Sequence, residues 1–332
     1  MNKIRIGILG TSEIAFRRFL PALKNNSNFT YVGVATRDVA KADKFIENYG
    51  GKVFDGYESA INSSEIDALY IPLPPALHYE WAERALNSGK HVMLEKPFTT
   101  EHVDTCKLID IAKNKKLAIH ENYMFMFHNQ IKKIYEILDT NSIGDIRLIR
   151  ASFGFPHRGQ QDFRYNKELG GGALLDCGGY PIKLVSSLLG EKSKVSTSTL
   201  YMDKEKEVDI YGNATLENEN GNVAQISFGM DNSYKCEVEI WGSNGEIVAP
   251  RIFTAPADLE PEINLTVNGV NSKIDISCDD QFYKSINHFY DSINNNEILE
   301  DNFKQIMLQA NLVEQIKNNS KIYYKYGSCE KC

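Results

Sequence analysis

The run Ile4-Arg5-Ile6-Gly7-Ile8-Leu9, passing directly into Gly10-Thr11-Ser12-Glu13-Ile14-Ala15, constrains this chain more than any other feature. A short apolar strand that turns through a glycine into a helix is the opening of a strand–helix–strand unit. Its tight turn leaves helix N–H groups where a phosphate can sit. The pattern then repeats. Ile14–Lys24 has helical spacing, with Pro21 expected to kink it. Tyr31–Ala35 predicts a second strand, and Asp38 a cap for a helix reaching Tyr49. Ala68–Ile71, His91–Leu94 and Leu117–His120 predict further strands. Helices over Leu77–Ser88, closed by Gly89, and over Glu101–Asn114 lie between them. Strands alternating with helices of this length predict parallel strands joined by right-handed crossovers.

The character changes after Asn122. A helix over Asn129–Asp139 leads to an alternating strand, Ile146–Phe153, and Val208–Ile276 reads almost entirely as strand. Cys236-Glu237-Val238-Glu239-Ile240 alternates strictly, so one face is buried and the other polar. Asn220-Gly221, Asn244-Gly245 and Asn268-Gly269 are hairpin signals, and together they predict an antiparallel meander. Two amphipathic helices follow, one with Phe282, Ile286, Phe289 and Ile293, the other with Ile306, Ala310, Val313 and Ile316. The expected fold class is therefore α/β plus α+β. An N-terminal Rossmann dinucleotide-binding domain spans residues 1–122. A C-terminal domain over 123–332, with a large, mostly antiparallel open β-sheet, is expected to bind substrate.

Charge and composition narrow the partners. A formal charge of −7 over 332 residues argues against nucleic acid or an anionic membrane. No stretch has the roughly 18 apolar residues of a membrane helix, and no apolar signal core precedes Ile4, so a cytoplasmic location is expected. Of six cysteines, Cys106, Cys177, Cys236 and Cys278 are scattered. Cys329 and Cys332 form a CxxC without the second pair that a structural zinc needs, so no metal site is expected.

Five motifs carry chemistry. In the first turn Gly10 makes the bend, Ser12 stands where a second glycine is usual, and Ala15 is a permitted third position. Thr11, Ser12, Glu13 and Ile14 are thus candidate cofactor contacts. The second strand ends in Thr36-Arg37-Asp38 rather than in an acid. A guanidinium at Arg37 matches a 2′-phosphate, with Thr36 donating a further bond, so NADP(H) is expected in preference to NAD(H). Glu95-Lys96-Pro97 follows a strand at the carboxyl edge of the sheet, where Lys96 can reach the nicotinamide ribose and a substrate oxygen. Gly170-Gly171-Gly172 opens a segment in which Asp176 and Tyr180 are four apart and share a helix face. A phenol near a pKa of about 10 is a poor acid until a nearby ammonium lowers it. His157, Arg158, Arg164 and Lys167 cluster just before, a loop suited to clamping a diphosphate.

Together the Gly10–Ala15 turn, Ile71-Pro72-Leu73-Pro74 with His78, Gly89-Lys90-His91-Val92, Glu95-Lys96-Pro97 and Gly170–Tyr180 resemble the glucose–fructose oxidoreductase/inositol dehydrogenase/MocA (Gfo/Idh/MocA) family. The resemblance covers essentially the whole chain. It implies that Lys96 is catalytic and touches cofactor, that Leu73, Pro74 and His78 border the nicotinamide, and that Asp176 faces substrate. The commonest family pattern has histidine where Tyr180 stands. Tyr180 matches the branch in which tyrosine is the acid/base. Tyr70–Pro74, Glu121-Asn122-Tyr123-Met124-Phe125 and Asp162-Phe163-Arg164 look most like the nucleotide-sugar 3-ketoreductases of deoxysugar pathways.

The implied activity is hydride transfer between NADP(H) and a nucleotide-linked keto-sugar. Lys96, Tyr180 and Asp176 would be catalytic, with Glu95 and Asn122 on the cofactor side and Tyr123, Arg158 and Arg164 on the substrate side. The Lys96 ammonium and the Tyr180 hydroxyl are expected to converge on one substrate oxygen, with His78 the next candidate acid. A free-sugar or trans-dihydrodiol dehydrogenase is the alternative, and a non-catalytic cofactor-binding regulator a third reading. A homodimer or homotetramer through the C-terminal sheet is also implied.

Overall fold

A computed structural model describes residues 3–159 and 161–325. The chain divides into two compact units. The first comprises residues 1–124 and 280–307, the second residues 125–279 and 308 onward. The expected single boundary after Asn122 therefore misses a return of the chain. The helix Gln281–Asn294 belongs to the first unit, where Phe289 stacks on Phe29 at 6.1 Å.

In the first unit, β1 (Ile4–Leu9), β2 (Phe29–Thr36), β3 (Lys52–Asp55), β4 (Ala68–Ile71), β5 (His91–Leu94) and β6 (Ile119–Glu121) form one sheet. Its order is β3-β2-β1-β4-β5-β6, and every pairing is parallel. This is the doubly wound arrangement, with its switch point between β1 and β4. Buried Ile6, Ile8, Leu9, Val34, Leu69, Ile71, Val92 and Leu94 fill the strands on both faces, as a parallel sheet covered on two sides requires.

Three local expectations change. At Pro21, where a kink is expected, a π turn over Ala15–Phe19 runs directly into the helix Leu20–Lys24. The Leu20 N–H bonds back to the Ala15 carbonyl, so the ladder reaches the proline with its widest spacing. Asp38 stands before a 3₁₀ turn, Val39–Ala42, without a side-chain bond to it, and the helix proper is Asp43–Tyr49. β3 and the short helix Tyr57–Ile61 were not anticipated. Lys52–Asp55 is an edge strand of which only Phe54 carries a large apolar ring, so it gives little hydrophobic signal.

The second unit holds nine strands: β7 (Ile146–Gly154), β8 (Lys194–Asp203), β9 (Val208–Glu217), β10 (Val223–Gly229), β11 (Lys235–Gly242), β12 (Gly245–Ala249), β13 (Glu262–Val267), β14 (Val270–Asp275) and β15 (Lys321–Lys325). Their order is β14-β13-β12-β11-β7-β10-β9-β8-β15. The sheet is mostly antiparallel, but it is not a simple meander. β7 inserts between β11 and β10 and runs parallel to β10, and β15 runs parallel to β8. Of the three Asn-Gly pairs, Asn268-Gly269 is the two-residue hairpin with both residues at positive φ. Asn220-Gly221 lies in a longer loop, and Gly245 already belongs to β12.

One face of this sheet buries Ala214, Leu216, Ala224, Ile226, Phe228, Val238 and Ile240, and the helix Gly179–Leu189 packs on β7 and β10 at its centre. The opposite face carries Trp241, 52% exposed, and a row of stacked rings, Tyr211–Tyr201–Tyr323, at 4.2 and 5.1 Å. No helix among the described residues is long and apolar enough to cross a membrane. Cys329 and Cys332 lie outside the described residues.

Candidate active site

At the switch point of the first unit, Gly10 has φ +96° and its N–H donates to the Ala35 carbonyl at 2.8 Å. A Cβ there would meet Leu73 Cδ2 at 2.8 Å. The sign of φ therefore requires glycine, and Leu73 stands beside the turn. Ser12 Oγ accepts the Ala15 N–H at 3.2 Å. The adjoining hollow, about 560 Å³, is lined by Thr11, Glu13, Lys41 and Lys44. Glu13 is ion-paired to Lys44. Arg37 lies 5.7 Å over the Tyr57 ring at the end of β2. A glycine turn at a parallel-sheet switch point, with a helical segment behind it, fits a dinucleotide. Thr36 contributes differently from expectation, since its hydroxyl donates to the Asp38 carbonyl at 3.1 Å and accepts the Asp38 N–H.

Glu95 and Lys96 leave β5 beside a buried polar chain. Tyr70 Oη and Asn122 Nδ2 both donate to Glu95 Oε1 at 2.6 Å. Ser285 Oγ donates to Asn122 Oδ1 at 2.8 Å and lies 3.0 Å from His120 Nε2. Burial raises the Glu95 pKa, against bonds from Tyr70 and Asn122 and the Lys96 charge, which lower it. The Lys96–Pro97 peptide is cis, and Glu121 Oε1 accepts the next N–H, that of Phe98, at 2.9 Å. Tyr123 is 2% exposed and packs in the interior.

His78 is fully buried, with Nδ1 2.7 Å from the Pro97 carbonyl and Nε2 2.7 Å from the Leu73 carbonyl. It ties the Leu73-Pro74 loop to the Lys96-Pro97 loop. Burial lowers its pKa, although its backbone bonds act the other way. With both ring nitrogens against backbone, His78 supports the loops and is a poor candidate for a reserve acid.

In the second unit the glycine turn leads into a π turn, Leu174–Gly178, continued by the helix Gly179–Leu189. Asp176 lies within this widened turn and Tyr180 in the first turn of the helix that continues it. Gly178 allows the helix to lie on the sheet, since a Cβ there would meet the Phe228 ring at 3.1 Å. Tyr180 is 7% exposed, its ring walled by Phe153, Phe125 and Phe253 at 5.0, 5.7 and 5.9 Å. Asp176 Oδ2 accepts Arg164 Nε at 2.7 Å, and Arg164 also reaches Asp162 at 3.1 Å. Burial disfavours the Arg164 charge, but Asp176 and Asp162 outweigh it and raise its pKa.

The basic loop is therefore not an open cationic cluster. Arg164 is balanced by two carboxylates, Lys167 pairs with Glu207 at 3.4 Å, and His157 stacks on Tyr165 at 4.5 Å. Arg158 stays exposed, its guanidinium 4.9 Å over Phe155. Sequence reasoning also missed Asp209, whose Oδ2 accepts the Leu174 N–H at 2.6 Å. A lone acid in a strand gives no local signal of such a bond.

Residues 4–123 match the oxidoreductase family with an NAD-binding Rossmann fold, and residues 131–248 the GFO/IDH/MocA C-terminal domain. The chain is 36% identical over 323 residues, 97% of each chain, to a dTDP-3,4-didehydro-2,6-dideoxy-alpha-D-glucose 3-reductase of Actinomadura kijaniata. It is 37% identical over 319 residues to one of Saccharopolyspora spinosa, covering 94% of this chain and 96% of the relative. A crystallised 3-ketoreductase from Actinomadura kijaniata, in complex with NADP and TDP-benzene, superposes with a TM-score of 0.94 at 36% identity, covering 98% of this chain and 100% of that one. The glycine turn at a doubly wound switch point, the Glu95-Lys96-Pro97 loop and the Gly-rich helix of the second unit are thus those of an oxidoreductase, and the chain belongs to the Gfo/Idh/MocA family.

Proposed function

We propose that this chain reduces the 3-keto group of a nucleotide-linked deoxysugar with NADPH. The observation that carries this reading is the match along nearly the whole chain to dTDP-keto-sugar 3-reductases, through both units. Bound NADPH supplies a hydride to the carbonyl carbon, and the oxygen must then take a proton. The N–H groups of the Gly10–Ile14 turn hold the pyrophosphate, and Arg37 holds the 2′-phosphate. Leu73, Pro74, Glu95 and Asn122 line the nicotinamide side.

Lys96 places a positive charge against the forming alkoxide, and Tyr180 donates the proton to that oxygen. Asp176 bonds the sugar, with Arg164 fixing its carboxylate. Exposed Arg158 suits the diphosphate of the substrate. Copies of the chain pair through the outward face of the second sheet, which carries Trp241 and the tyrosine row. Light scattering at micromolar concentration should give a dimer or tetramer, and a monomer would exclude this.

The test compares dTDP-3,4-didehydro-2,6-dideoxy-alpha-D-glucose with the same sugar lacking its nucleotide and with a trans-dihydrodiol, each with NADPH or NADP. Turnover should require the nucleotide. Equal turnover of the free sugar, or turnover of the diol alone, would favour the dehydrogenase reading. Tyr180→Phe should lower kcat by roughly 10²–10⁴-fold and leave NADPH binding intact. Parent turnover in that variant would remove Tyr180 as the acid.

A further inference from the structure

Asp209 stands on the face of β9 that simple alternation denies it. The inward positions of β9 run Gly212, Ala214 and Leu216, and unbroken alternation would turn residue 209 outward with Tyr211. The pairing with β8 slips here: Tyr201 lies opposite Tyr211, but Met202 lies opposite Asp209, leaving Ile210 as an extra residue. Such a bulge re-aims a side chain. It brings the Asp209 carboxylate to the face on which the Leu174–Gly178 turn packs. There Oδ2 accepts the Leu174 N–H at 2.6 Å. Oδ1 lies so near Gly172, whose φ is +120°, that a Cβ there would meet it at 2.4 Å.

The same turn is gripped by a second element. The Gly172 N–H donates to the Arg164 carbonyl at 2.9 Å, and the guanidinium of that residue holds Asp176 at 2.7 Å. A bulge, a glycine and an acid together fix where the helical segment begins. Everything downstream of Leu174, including Asp176 and Tyr180, follows from that point.

We propose that Asp209 is a positioning residue for the reaction, seating the start of this segment on β9 and thereby setting where Asp176 and Tyr180 stand. The proposal rests on the roles given above to those two residues. A carboxylate suits the task because it accepts N–H bonds at the start of a helical segment and complements the dipole there. Its influence on the reaction runs through Tyr180, whose ring is already walled by phenylalanines and has little freedom to compensate for a displaced backbone.

The experiment measures NADPH-dependent reduction of dTDP-3,4-didehydro-2,6-dideoxy-alpha-D-glucose by Asp209→Ala, Asp209→Asn and Asp209→Glu. Each is made in the parent and in Tyr180→Phe. Misplacing a reacting group by an ångström is expensive, so Asp209→Ala should lower kcat at least about tenfold with the KM for NADPH unchanged. Asp209→Asn keeps an acceptor oxygen for the Leu174 N–H and should recover most of the rate. Asp209→Glu keeps charge and acceptor but pushes the turn away by one methylene. It should behave like the alanine variant, and it serves if that variant does not fold. In the Tyr180→Phe background these substitutions should change kcat by less than about twofold, the signature of coupled residues.

Parent kcat in the alanine or glutamate variant would overturn the proposal. So would an equal loss in both backgrounds, a loss confined to the KM for NADPH, or an asparagine variant as slow as alanine. If Tyr180→Phe itself runs at the parent rate, the roles assigned to the site fail, and the proposal fails with them. That result is read from the single Tyr180 variant and is distinct from all the others.

Discussion

The carboxylate that seats the helix should also make the protein's stability depend on pH in a defined window. Burial pushes the Asp209 pKa up to about 6, against bonds from the N–H groups of Leu174, Asp209 and Ala173 that lower it. In the unfolded chain an aspartate titrates near 4. The folded value is the higher one, so folding takes up a proton. The stability gained from protonated Asp209 is complete below about pH 4 and is lost as pH rises through about 6. A two-unit difference is worth about 3 kcal/mol over the whole window, and roughly 2 kcal/mol between pH 4.5 and 8. Partial exposure of the residue makes these upper values. The assay is urea unfolding from pH 4.5 to 8 for the parent and Asp209→Asn, both carrying Trp81→Phe so that tryptophan fluorescence reports Trp241 in the second unit. Asparagine cannot titrate, so the stability gap between the two proteins should move by up to about 2 kcal/mol in favour of the variant on going from low to high pH. Parallel curves across that range would refute the reasoning, and so would a gap moving the other way.

Two further outcomes follow from the geometry. Arg37→Ala should weaken NADPH by roughly 1.5–3 kcal/mol, the value of a charge-assisted bond, and leave NADH unchanged by isothermal titration; equal weakening of both would place Arg37 away from the 2′-phosphate. Arg164→Gln leaves Asp162 and Asp176 without the charge that balances them, both side chains being no more than 20% exposed. Breaking a buried pair of this kind costs about 3–5 kcal/mol, so thermal unfolding should drop by roughly 10 °C, and an unchanged Tm would show that solvent already screens the pair.

What the sequence made legible was whatever local rules write into local residues. Strands buried on both faces, such as Ala68–Ile71, are continuous apolar runs and could be read directly. The glycine of a tight turn announces itself because no other residue adopts φ +96° cheaply. β3 was lost because an edge strand buries little and so carries little pattern. The place of β7 at the centre of the second sheet was lost for another reason. Hairpin signals report which strands are neighbours in sequence, and β7 pairs with β10 and β11 across long separations.

The site divides along the same line. Residue types that must appear for the chemistry, an ammonium at Lys96, a phenol at Tyr180 and a guanidinium at Arg37, are legible because few other residues supply those groups. What was illegible is the state in which each group is held. The loop from His157 to Lys167 reads as a run of positive charge, yet carboxylates distant in sequence, Asp176 and Glu207, take up two of its members. His78 reads as a titratable group near the nicotinamide, yet two backbone carbonyls hold its ring. Ser285 lies 163 residues from the Asn122 amide to which it donates. Asp209 is the clearest instance, because period-2 reasoning assigns it to the wrong face. One extra residue in β9 reverses that assignment, and a bulge is a property of the pairing between two strands rather than of either strand's sequence. The groups that would react are therefore written in the chain as residue types, while the groups that hold them arise from long-range pairings.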